Sequence, residues 1–70
     1  MSVIRVYNRV IYNLTNYDSI YINQPPGKLP ELVLCKNAET YHRITFETRD
    51  ELDKELQSIQ KALEDYYKKD

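Results

Sequence analysis

Apolar and polar residues alternate with a period of two near the start of the chain. Ile4, Val6, Val10 and Tyr12 fall on one parity; Arg5, Tyr7, Arg9 and Ile11 fall on the other. Such alternation, rich in Val, Ile and Tyr, predicts a half-buried strand over residues 3–12. Asn8 interrupts the apolar parity and marks a bend or bulge there. Asn13-Leu14-Thr15-Asn16 reads as a turn, because its short polar side chains compete for backbone hydrogen bonds. A second strand is expected over 19–23, with Ile20 and Ile22 pointing one way and Tyr21 the other.

The stretch 24–30 holds all three prolines and the only glycine. Pro25-Pro26-Gly27 removes two amide donors and adds one permissive residue, so this is a loop. A short apolar run predicts a third strand over 32–36, followed by a turn at Lys36-Asn37-Ala38-Glu39. Alternation resumes over 40–47. His42, Ile44 and Phe46 share one face there; Tyr41, Arg43, Thr45 and Glu47 share the other. Short connections suit antiparallel neighbours.

A helix is predicted over 49–67. Thr48-Arg49-Asp50-Glu51 fits a capping box, with a hydroxyl at the N-cap and Glu three residues on. Leu52, Leu56, Ile59, Leu63 and Tyr66 follow at steps of four and three, forming one apolar stripe. Asp50 and Glu51 suit the positive end of the helix dipole, and Lys68 and Lys69 the negative end. The expected fold is α+β: an antiparallel β-meander of three to four strands, covered on one face by a single C-terminal amphipathic helix, in one domain over 1–70. The predicted core is Ile4, Val6, Val10, Ile20, Ile22, Leu32, Leu34, Ile44, Phe46, Leu52, Leu56, Ile59 and Leu63. Val33 exchanges roles with its neighbours if its strand has the reverse parity.

Composition narrows the function. Seventy residues with one cysteine leave no intramolecular disulfide. Cys35 and His42 are too few for a structural zinc site, so no metal and no cofactor is expected. A core this small supplies roughly 3–5 kcal/mol without a staple, which favours a homodimer. No segment reaches the roughly 18–20 apolar residues that span a bilayer. Met1–Arg5 lacks the basic start and apolar run of an export signal, and an unpaired cysteine suits a reducing cytoplasm. Frequent Asn, Ile, Tyr and Lys would suit an AT-rich genome of bacterial or phage origin.

Catalytic constellations are sparse. A hairpin centred between Asn37 and Ala38 would set Cys35 near residue 40 and His42 near residue 33, offset from each other. The helix carboxylates alternate with lysines, as on a solvated face, and one glycine cannot build a phosphate loop. The chain is therefore expected not to be an enzyme. Its net charge is −1, unevenly spread. Residues 1–46 carry five basic and three acidic side chains (+2), and residues 47–70 carry five and eight (−3). That is far from the basic stripe of a duplex binder.

Seven tyrosines are the compositional oddity. Tyr7, Tyr21 and Tyr41 share the predicted outer parity with Arg5, Arg9 and Arg43. Arg and Tyr join apolar area to hydrogen bonding, as binding hot spots do. The expectation is an interaction or regulatory protein that binds a protein partner through this sheet face. The alternative is single-stranded nucleic acid, whose bases stack on such tyrosines among arginines. Equally, Tyr and Arg pack across strand surfaces with no further role.

Overall fold

The computed structural model describes residues 3–37 and 40–68. The described residues form, in chain order, β1 (Ile4–Tyr7), β2 (Val10–Asn13), β3 (Ser19–Asn23), β4 (Glu31–Lys36), β5 (Thr40–Thr45) and α1 (Arg49–Lys68). The fold is α+β, as expected, but its strands form two antiparallel sheets. One is the β1–β2 hairpin; the other has the order β3-β4-β5. A 3-10 turn at Leu14–Asn16 joins them.

The single strand expected over 3–12 is thus corrected to two strands around a two-residue turn. Asn8 and Arg9 both take positive φ, 52° and 68°. This is the geometry of a type I′ turn, whose twist matches that of the strands it joins. The reversal changes which residues share a face. Val6 pairs with Ile11, Arg5 with Tyr12, and Tyr7 with Val10; directly paired residues lie on the same side of a sheet. Arg5, Tyr7 and Tyr12 therefore face inward, while Ile4, Val6 and Ile11 face outward.

The predicted core is corrected accordingly. Ile4, Val6 and Val10 are exposed, at 45%, 61% and 47%. Val3 and Leu14 are buried in their place, Leu14 to 1%. Leu14, expected only as part of a turn, enters the core because Asn13 caps the turn. Its Oδ1 accepts from the Thr15 amide (3.2 Å) and hydroxyl (2.6 Å). The Leu14 amide donates to Val3 O (2.8 Å), extending the β1–β2 ladder.

The remaining core follows the sequence pattern. Leu32, Leu34, Ile44, Leu52 and Ile59 are buried, with Ile20, Ile22, Phe46, Leu56, Leu63 and Tyr66 packed around them. Each fully buried side chain of this size contributes about 1.5–3 kcal/mol. α1 begins where expected: Thr48 Oγ1 accepts from the Glu51 amide at 3.2 Å. β4 is buried on both faces, because Val33 and Cys35 are also covered. A central strand reads as a continuous apolar run for this reason. Val33 does not exchange roles with Leu32 and Leu34; it lies on the opposite face, between Tyr21 and Arg43.

The inner face of the three-stranded sheet has two covers. α1 packs on β4, and the inward face of the hairpin covers the β5 side. Tyr7 meets Phe46 edge-on (centroids 6.1 Å), and Tyr12 meets His42 (5.7 Å).

Candidate functional site

The six residues expected to form one Tyr/Arg face are separated by the fold. Tyr7 donates its hydroxyl to Glu55 Oε2 of α1 at 2.5 Å. Arg5 lies 3.6 Å from the same carboxylate and donates to Ser58 Oγ at 3.2 Å. Both residues therefore tie the hairpin to the helix instead of joining an outer surface. Burial, then the Glu55 hydrogen bond and charge, push the Tyr7 phenol well above its ordinary range, with Arg5 opposing. Arg9 stands at the tip of the hairpin turn.

Tyr21 and Arg43 do share a face. Both are exposed and flank Val33 in register. Arg43 Nε is 3.7 Å from Glu31 Oε1, which also accepts from Asn23 Nδ2 at 2.8 Å. Tyr41 is placed by its backbone alone, opposite Cys35; its side chain lies outside the described residues.

Cys35 and His42 do not form a nucleophile and base. The register centres the β4–β5 turn on residue 38, one half-step beyond the expected centre; Ala38 and Glu39 themselves lie outside the described residues. Cys35 is opposite Tyr41, and His42 is opposite Leu34. Odd and even positions project to opposite sides of the sheet. His42 accordingly meets Tyr12 and Tyr17 on the inner side (5.7 and 5.9 Å), while Cys35 is buried on the other. Among the described residues no cluster of three or more His, Cys, Asp or Glu could hold a metal ion. No helix among them is long and apolar enough to cross a membrane.

Two features that the residue pattern does not announce are more distinctive. The first is a groove of about 630 Å³ between β3 and the C-terminal half of α1. Its floor is Leu14, Ile20, Leu56, Ile59 and Leu63, with Tyr17 and Tyr67 beside it and Asp18, Glu64 and Lys68 on its rim. It lies where α1, which packs on β4, stands off from β3 along Leu56, Gln60, Leu63 and Tyr67.

β3 is also a terminal strand of its sheet. The Phe46 amide donates to Pro30 O (2.9 Å) in register with the β4–β5 ladder. Even-numbered residues of β4 therefore direct their backbone groups to β5, and odd-numbered ones to β3. On β3 it follows that the N–H and C=O groups of Ile20 and Ile22 point away from the sheet, along the free edge beside the groove.

The second feature is the outward face of the hairpin. Ile4, Val6 and Ile11 are 45%, 61% and 71% exposed and adjoin one another across the two strands. The clue in the sequence was Asn8, which takes positive φ readily. The usual Asn-Gly signature of such a turn was incomplete.

Comparison with protein-family models, curated proteins and solved structures finds no match for this chain.

Proposed function

We propose that this chain is a non-enzymatic interaction protein that binds an extended segment of a protein partner along β3. The observation that carries this reading is the free edge of β3 lying beside the apolar groove under α1. An extended peptide brings a matching row of N–H and C=O groups to Ile20 and Ile22, while alternate side chains enter the groove. The backbone bonds supply affinity, and the groove selects apolar residues at every second position. Two carboxylates against one ammonium on the rim (Asp18, Glu64, Lys68) favour a basic residue in the bound segment.

The nucleic-acid reading has lost much of its surface. Arg5 and Tyr7 serve the helix, and Arg43 sits beside Glu31, whose carboxylate repels phosphate. Self-association would use a different surface, the outward face of the hairpin.

A random-peptide display library panned against the intact chain tests the proposal. Enriched sequences should alternate apolar residues, and a synthetic peptide carrying one should shift the amide resonances of Ile20, Ile22, Leu63 and Tyr67. Leu63→Glu, which places a charge in the groove, should weaken binding at least tenfold. Failure to enrich any peptide, or shifts centred on Tyr21 and Arg43, would overturn the assignment.

A further inference from the structure

We infer that the outward face of the β1–β2 hairpin docks on the same face of a second copy of this chain. Ile4, Val6 and Ile11 form a contiguous apolar patch there, and no charged side chain shares that side of the hairpin. Arg5 is turned inward to Glu55 and Ser58. The remaining polar residue, Asn13, already accepts from the amide and hydroxyl of Thr15. Apart from the Asn13 amide nitrogen at its end, the face offers only apolar surface to a partner. Another uncharged apolar face matches it, and the chain itself supplies one.

The area fits a weak dimer. The three side chains expose on the order of 300 Å² of apolar surface, so two copies bring together at most about 600 Å². At roughly 60% apolar this corresponds to about 1,000 Å² in total, at the lower bound for specific association. An antiparallel approach about a two-fold axis sets the two Arg9 turns at opposite ends, so these cations do not face each other. The β3 groove is separate. It uses Leu56, Gln60, Leu63 and Tyr67 on one flank of α1, whereas the hairpin meets Glu55 and Ser58 on the other.

Sedimentation velocity over a hundredfold concentration range, up to about 100 µM, tests this inference on the intact chain. The expected result is a monomer–dimer equilibrium. Val6→Lys and Ile11→Lys, both at exposed positions, should each shift it to monomer by at least tenfold in dissociation constant, while Tyr21→Ala, exposed on the other sheet, leaves it unchanged. A wild-type chain that stays monomeric throughout overturns the inference, as does a dimer that survives both lysine variants with its helical circular dichroism intact. Should the variants unfold, a mixed sample of isotope-labelled and unlabelled wild-type chain decides. Intermolecular methyl contacts among Ile4, Val6 and Ile11 support the inference, and intermolecular contacts confined to other residues overturn it.

Discussion

Arg9 occupies a backbone conformation that an L-residue with a Cβ adopts only at a cost. Its φ of 68° lies in the left-handed region, where the penalty relative to glycine is about 1–2 kcal/mol before glycine's greater unfolded-state entropy is set against it. Arg9→Gly should therefore stabilise the chain by roughly 0.5–1 kcal/mol in urea unfolding. A loss of stability would mean that Arg9 makes contacts beyond the turn. Tyr7 makes a second prediction at this scale. Its phenol titrates above the unfolded value because it is buried and donates to Glu55. A group whose folded pKa is raised gives its full stabilisation below the unfolded pKa and loses it as pH climbs toward the folded value. That window opens at about pH 10. Alkaline unfolding, followed by tyrosinate absorbance and circular dichroism together, should begin there. Tyr7→Phe should flatten this limb, with a residual slope from Tyr17, whose phenol is also raised by burial and by Tyr12.

At the scale of elements, α1 depends on its first turn and on one stripe. Thr48→Ala removes the acceptor for the Glu51 amide and should cost about 1 kcal/mol, while Thr48→Ser should cost little. The two faces of the hairpin and the core beneath it should respond very differently. Ile59→Ala opens a cavity against Leu52 and β4 and should cost about 2–4 kcal/mol. Val6→Thr keeps the β-branched shape on an exposed face and should change monomer stability by less than about 0.5 kcal/mol. Comparable losses in the two variants, measured by denaturant titration at low protein concentration, would contradict the outward placement of Val6.

The described residues are organised around β4, which is paired on both sides and buried on both faces. Amide exchange should be slowest at Leu32–Cys35 and faster throughout β1 and β2, which form only a two-stranded sheet. A hairpin that docks on a second copy should gain protection as protein concentration rises, while β4 keeps its rank. Uniform protection across all five strands would show that the two sheets open as one unit.

Local signals were sufficient for much of this fold. The loop over 24–30 follows from proline and glycine stereochemistry. The helix start follows from a hydroxyl and a carboxylate three residues apart, and its buried stripe from the spacing of Leu52, Leu56, Ile59 and Leu63. β3, β4 and β5 follow from alternation or from an unbroken apolar run. Each is a short-range effect, decided by neighbours along the chain. What only the tertiary structure decided is which side of the hairpin points inward. Period-two alternation separates Ile4 and Val6 from Arg5 and Tyr7 but does not say which pair meets the core. The aromatic and cationic pair turned inward because Glu55 and Ser58 of a helix some fifty residues later could accept their hydrogen bonds. The isoleucines and valine were left outside by that long-range pairing. The groove beside β3 likewise exists only once the folded chain sets α1 next to a strand some thirty residues before it.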